Sequence, residues 1–197
     1  FNYFNTTVLS NFMMGWRNLE WGNLTQLFPW SSYLCSRSSG KSFEWCYAFS
    51  LWRLYSYTRP AFYTSDTIDN KNRKETALIT NTMTLAKVHV SKIIEEIETN
   101  TVLSQKLNPN GRAKLGETQI ETETGSILHV RGKDGFIRGL HVGAAVVDDL
   151  PDESSLYSDE QREKLKEVFQ GTITPIVEPY GYLIVSGTPY STAPNEL

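Results

Sequence analysis

One stretch limits what this chain can fold into more than any other: Cys35-Ser36-Arg37-Ser38-Ser39-Gly40-Lys41-Ser42, set between the apolar lead-in Tyr33-Leu34 and the apolar, aromatic run from Phe43 to Tyr57. A loop of small residues that leaves a short strand, ends in Gly-Lys-Ser and opens a helix has the build of a phosphate cradle. Backbone N–H groups at a helix start point outward and hold an anion; Lys41 adds a point charge for the outer phosphates of a nucleotide, and Ser42 offers a hydroxyl to Mg²⁺. The leading Gly of the G-x-x-x-x-G-K-[ST] pattern is absent, with Cys35 in its place. Taken alone, Gly-Lys-Ser has two readings, a nucleotide loop or a helix start on a solvated loop, and the rest of the chain has to decide between them.

The first requirement is a core large enough to carry such a loop. At 197 residues and 40% hydrophobic, the chain has room for one sizeable core, in one domain or a domain with a small appendage. A net charge of -3 gives no global attraction to nucleic acid, although it leaves room for a local basic groove. Cys35 and Cys46 have no spacing partners for a metal and read as reduced thiols in a reducing compartment. No apolar run approaches membrane-spanning length, so no membrane is expected as a partner. A start at Phe1, without Met or a signal peptide, is expected of an excised domain.

Periodicity supplies the order of elements. Residues 1–30 are predicted as an N-terminal helical lead-in, with Trp16, Leu19, Leu24 and Leu27 on one helix face, and residues 31–197 as the core. The lead-in aromatics either pack it onto a sheet or, with Gln26, contact the base of a nucleotide through Trp16 or Trp21. Phe43, Cys46, Phe49, Leu51 and Leu54 give the next helix a broad apolar face up to Arg59-Pro60, where the proline stops it. A polar loop over 64–74 and a short strand over 76–80 follow. Leu85, Val88, Ile93, Ile94 and Ile97 then recur at helical spacing, and strand, helix, strand, helix is the order of a parallel sheet with crossover helices. His89 in that helix reads as a partly buried structural residue rather than a ligand. Asn108-Pro109-Asn110-Gly111 marks a turn, and the alternation from Glu117 to Val130 around Gly125 predicts a β-hairpin or two edge strands.

The second informative stretch is Ala144-Ala145-Val146-Val147-Asp148-Asp149. A run of small and β-branched residues that ends in two carboxylates describes a buried central strand whose C-terminal end opens on a site. The first acid can hold a Mg²⁺ shell and the second can orient or deprotonate an attacking water. The competing reading is an acidic turn that caps the next helix. The spacing from Gly-Lys-Ser leaves room for one intervening strand and helix, and the two stretches in this order favour the nucleotide reading of both. Ser158 and Gln161 then form a capping box for a helix with Leu165, Val168 and Phe169 on its core face, and Gly171 is predicted to end it. Ile176-Val177 and Tyr182 to Val185 follow as apolar runs. The second ends at Ser186-Gly187-Thr188-Pro189, which either feels a γ-phosphate or is an ordinary strand-end turn.

These residues together resemble the ATPase domain of the large terminase subunit, the DNA-packaging motor of tailed bacteriophages. Ser36-Arg37-Ser38-Ser39-Gly40-Lys41-Ser42 resembles that family's deviant Walker A. Thr84 to Leu107, with Ile97-Glu98, Asn100 and Leu103, is similar to its helix after the second strand. Ile137-Arg138-Gly139 resembles the Arg-Gly turn ahead of Walker B, Val146-Val147-Asp148-Asp149 the Walker B strand itself, and Ser186-Gly187-Thr188-Pro189 the coupling motif.

The resemblance implies an α/β, ASCE-type P-loop fold, with a central mostly parallel sheet, helices on both faces and a small β-hairpin excursion. It implies ATP hydrolysis with Mg²⁺ and a homo-oligomeric ring working with the portal protein and small terminase subunit on double-stranded DNA, in the host cell cytoplasm. By this resemblance Lys41 and Arg37 act on the nucleotide, and Ser42 and Asp148 hold the metal. Arg138, on a glycine-flanked turn, has two readings: an arginine finger for the charge that phosphoryl transfer spreads over the γ-phosphate oxygens, or a surface salt bridge or DNA-phosphate contact. The catalytic carboxylate is Asp149 or the nearby Glu153, because Asp149 stands where the family usually has Glu. The acid cluster of the family's nuclease domain is absent, so this chain is not expected to cut DNA. Two other readings stay open: a helicase-like P-loop ATPase, and a nucleotide-binding switch or scaffold without turnover, for which a single metal-shell carboxylate would be enough.

Overall fold

The computed structural model describes residues 1–9, 15–56, 74–151 and 158–189. Arg59, Pro60, nearly all of the 64–74 loop, and Glu153 lie outside the described residues. Seven strands, β1 (Trp30–Leu34), β2 (Glu75–Thr80), β3 (Lys114–Leu115), β4 (Gln119–Glu121), β5 (Ile127–Gly132), β6 (Val142–Asp148) and β7 (Val177–Gly187), form one sheet in the order β1-β7-β6-β2-β5-β4-β3. The pairings from β1 through β5 are parallel, and β3 and β4 add on antiparallel. The alternation over 117–130 is thus borne out as the hairpin β4–β5, and β5 also pairs in parallel with β2.

All seven residues of β6 are buried. Because side chains alternate along a strand, Ala144 and Val146 enter one core cluster while Ala145 and Val147 enter another on the opposite face. Three helices cover the first face: α3, which runs π-helical over Phe43–Phe49 and α-helical over Ser50–Ser56, α4 (Met83–Thr99) and α5 (Thr101–Leu107). Two N-terminal helices, α1 (Asn2–Thr7) and α2 (Trp16–Leu27), join the same cluster. Its centre is aromatic. Trp45 stacks on Tyr33 at 4.6 Å between centroids, with Trp21 at 6.0 Å from Trp45 and Phe49 edge-on to Tyr182 at 5.5 Å. The second face carries α6 (Asp159–Val168), which has no fully buried residue of its own and leans Leu165 and Val168 against the sheet.

Four local expectations need correction. Helix α2 does not bury Trp16, Leu19 and Leu27, which are exposed; its packed face is Trp21, Gly22 and Thr25. Small residues let the helices close up: a Cβ at Gly22 would lie 1.8 Å from Asn2 Oδ1. The helix expected over 84–107 breaks at Asn100, whose side chain accepts from the N–H groups of Val102 and Leu103 and donates to the Val8 carbonyl, capping α5 while tying down the N-terminal segment. Gly171 does not end the helix after Ser158; the chain continues through a π-helical turn at Phe169–Ile173 and a last turn at Thr174–Ile176. Val177 and the run at 182–185 belong to one strand, while Ile176 closes the helical turn before it. In β7, Val177 pairs with Val142 and the next registered pair is Tyr182 with Ala144, an irregularity that accommodates Pro179, which has no N–H to give the ladder.

Candidate nucleotide and metal site

Strand order brings the two informative stretches together. β7 lies between β1 and β6, so the loop after β1, the acids after β6 and the Ser-Gly-Thr end of β7 all emerge at the C-terminal edge of adjacent parallel strands, where such sheets open on their ligands. Cys35 extends the ladder by donating its N–H to the Gly187 carbonyl at 2.9 Å. The loop then turns through two left-handed residues, Ser38 at φ 60° and Gly40 at φ 85°. A Cβ on Gly40 would meet nothing within 4 Å, so the backbone angle rather than crowding selects glycine there. The helix begins at Lys41, with the Glu44 N–H donating to the Gly40 carbonyl at 2.9 Å.

At the other side of the site, Asp149 takes φ 45°, a conformation that aspartate tolerates better than most residues, while its N–H donates to the Ser186 carbonyl at 2.9 Å. The turn aims both carboxylates at the loop. Lys41 Nζ lies 3.1 Å from Asp148 Oδ1 and 2.5 Å from Asp149 Oδ2. Ser42 Oγ donates to Asp148 Oδ2 at 2.6 Å, and Ser186 Oγ donates to Asp148 Oδ1 at 2.5 Å. Thr188 donates to Asp149 Oδ1 from its N–H at 3.0 Å and its hydroxyl at 3.4 Å. Lys41 and Asp148 are buried, at 6% and 1% exposure.

Burial alone would push the Asp148 carboxyl up, but the hydrogen bonds from Ser186 and Ser42 and the Lys41 charge outweigh it and hold the group below its ordinary value. Lys41 mirrors this. Burial pulls its ammonium down, and the two carboxylates more than restore it, leaving its pKa raised. A hydroxyl and a carboxylate converging as hard oxygen donors, beside two acids that share a single cation, fit a Mg²⁺ shell held by Ser42 and Asp148.

Of the residues singled out from sequence, Lys41, Ser42, Asp148, Asp149, Ser186 and Thr188 are brought together, with Gly40 and Gly187 setting the backbone between them. Ser36, Arg37 and Ser38 form the exposed outer rim of the loop, and Ser39 is half-buried behind it. Arg138 is exposed beside Gly139, itself at φ 86°, and like Arg37 makes no ion pair or hydrogen bond among the described residues. Gln26 Oε1 accepts from the Phe1 amino group at 3.2 Å. The α2 residue beside the loop is Arg17, which with Trp21, Tyr33, Cys35, Ser36 and Ser39 lines a cleft of about 410 Å³. Nine residues and so about 13 Å of helix separate it from Gln26. Arg17 escaped the sequence reading, though its i, i+4 relation to Trp21 places the two on one helix face. Cys46 and His89, read as a plain thiol and a structural histidine, also approach Asp148.

No protein-family model matches the sequence, and no curated protein matches it. Solved structures do. The large terminase of bacteriophage HK97 superposes with a TM-score of 0.58 over 93% of this chain at 11% identity, and a single-residue mutant of the large terminase ATPase domain of Thermus phage P74-26 with a TM-score of 0.57 over 91% at 12% identity. The chain spans 36% of the HK97 protein and 67% of the Thermus phage domain. The chain therefore shares the fold of these terminases, a central mostly parallel sheet with helices on both faces and an antiparallel hairpin at one edge, as its resemblance to the family implied. No helix among the described residues is long and apolar enough to cross a membrane.

Proposed function

We propose that the chain is the ATP-hydrolysing motor domain of a viral large terminase, one that moves double-stranded DNA into a procapsid. The observation that carries this reading is the convergence of Lys41, Ser42, Asp148 and Asp149 at one strand edge, within hydrogen-bonding distance of one another. Bound Mg²⁺–ATP would supply the transferable phosphoryl group and a divalent charge to neutralise it. Ser42 and Asp148 would hold the metal, and Lys41 would leave the carboxylates for the phosphates. Asp149 would then be free to accept a proton from water, still held by Thr188. A role for Ser186 and Thr188 in coupling follows from the same contacts, since any shift of the acids is felt at the end of β7. Ring assembly on a portal, with a small subunit and in the host cytoplasm, belongs to the same proposal and is supported by the likeness to terminase ATPase domains. Phosphate release with and without Mg²⁺ tests the reading: turnover should need the metal and fall about 10³-fold or more in Lys41→Ala, with circular dichroism showing a folded variant. Undiminished hydrolysis by folded Lys41→Ala would remove the nucleotide assignment.

A further inference from the structure

Behind the carboxylate that the nucleotide site uses lies a set of donors of a different kind. Cys46 on α3, His89 on α4 and Asp148 at the end of β6 place one ligand atom each within 4.8 Å of the other two. Among the described residues it is the one group of three or more His, Cys, Asp and Glu side chains so arranged. Cys46 is fully buried and makes no disulfide, and Asp148 is 1% exposed. His89 Nε2 is shielded from solvent and has no hydrogen-bond partner, which is costly for a polar nitrogen unless something else takes its lone pair.

We propose that Cys46, His89 and Asp148 form a site for a thiophilic divalent cation of the zinc type, and that filling it takes Asp148 away from Mg²⁺ and holds ATP turnover off. Donor chemistry selects the ion. A thiolate and an imidazole are poor ligands for Mg²⁺, which keeps to oxygen, whereas sulfur, nitrogen and one carboxylate oxygen are an ordinary zinc set with bonds of about 2.0–2.3 Å. Closing the three atoms onto such an ion takes a movement on the order of 1 Å, within reach of side-chain rotation in a half-buried histidine. Three protein ligands leave one tetrahedral position for water or a phosphate oxygen. Asp148 is the only member shared with Ser42 and Lys41. The binding half of the proposal stands on the three side chains alone; the inhibitory half rests on Asp148 serving Mg²⁺ as proposed above.

Co²⁺, which absorbs when bound by a thiolate, is the probe. Titrated into the nucleotide-free protein it should give a sulfur-to-metal charge-transfer band that saturates at one equivalent and is displaced by Zn²⁺. The band should persist in Cys35→Ser and disappear in Cys46→Ser. His89→Gln, at a half-buried position, should weaken Co²⁺ binding by tenfold or more, and it carries the test if Cys46→Ser does not fold. Absence of the band, or a band and affinity unchanged in His89→Gln, overturns the site. In the second arm, Zn²⁺ should inhibit Mg²⁺-dependent ATP turnover reversibly on chelation, with at least tenfold less sensitivity in His89→Gln. A normal Co²⁺ band with Zn²⁺-insensitive turnover would overturn the inhibitory half alone. A normal band in a protein without any Mg²⁺-dependent turnover would count against the motor reading and leave the metal site in place.

Discussion

Two regions of this molecule handle buried and exposed charge in opposite ways. At the strand edge, Lys41 is enclosed and meets two carboxylates, and Asp148 collects donors from Lys41, Ser42 and Ser186. On the rim, Arg37 and Arg138 stand exposed without a partner among the described residues. The contrast extends to the acids. Glu44, two residues beyond Ser42 and as buried as Asp148, receives one hydrogen bond, from Asn18 Nδ2 at 2.9 Å, and its second oxygen has none. Burial therefore dominates and pushes its carboxyl up to about 7, whereas Asp148 is held down. Burial does not by itself set charge; the number of donors that the fold supplies does. Under the proposed function the strand-edge site would exchange its internal ion pairs for metal and phosphate, while the rim arginines, without an internal partner among the described residues, have contacts to gain from outside.

The largest effect on this comparison should come from the acids themselves. Asp149→Asn should bind ATP within a few-fold of the parent but lower kcat by roughly 10²–10⁴-fold, because the amide keeps the Thr188 contact and cannot accept a proton. Glu153→Gln is the control, in the stretch outside the described residues. If Glu153→Gln is the inactive variant and Asp149→Asn turns over normally, the general base moves four residues along and Asp149 becomes a positioning residue for Lys41.

Sequence legibility divides along the same line. The loop at 36–42 and the acids at 148–149 were readable because each is a contiguous run whose residue types serve one purpose, and β6 announced itself by burying both faces. What escaped depends on pairs distant in sequence. The packed face of α2 is set by Gly22 meeting Asn2, and Asn100 breaks a continuous helical pattern because its side chain reaches Val8. Cys46 and His89 have no local spacing relation at all, and only the packing of α3, α4 and β6 joins them to Asp148. Gly171 misled for the reverse reason. A glycine ends a helix when the chain needs a left-handed turn, and here it continued as a wider turn instead.

The next effect is on stability rather than rate. Glu44 has a raised folded-state pKa, so its carboxyl binds its proton more tightly in the fold than in the unfolded chain. Its contribution is full below about pH 4.5 and is lost as pH rises towards about 7. Moving a carboxyl that far from its ordinary value corresponds to about 3 kcal/mol as an upper figure. Glu44→Gln keeps an oxygen for Asn18 and removes the ionisation. In EDTA and without nucleotide, its Tm should match the parent at pH 4.5 and exceed it increasingly up to pH 8. A Tm difference that does not change with pH would mean that Glu44 already has the donors it lacks here, and the contrast with Asp148 would fail.

The smallest effect in the isolated chain, and the one that best tests the rim, belongs to Arg138. Its exposure beside Gly139, on a turn that leads into β6, gives it reach away from its own site and no internal partner to lose. Arg138→Ala should therefore leave stability and the slow turnover of the isolated protein within about twofold of the parent. Transfer of a γ-phosphoryl group spreads negative charge over its oxygens, and an arginine supplied by a neighbour is worth about 10³–10⁵ in rate. Under ring-forming conditions, then, Arg138→Ala alone and Lys41→Ala alone should both be inactive. Mixed rings should recover activity, because a Lys41→Ala subunit still offers Arg138 to a neighbour whose own Lys41 is intact. Arg37→Ala, on the loop itself, should not be rescued in this way if it serves its own subunit's nucleotide. Confirmed assembly by light scattering without any recovery would leave Arg138 as a surface or DNA-phosphate contact, and only the enclosed half of the comparison would then bear on catalysis.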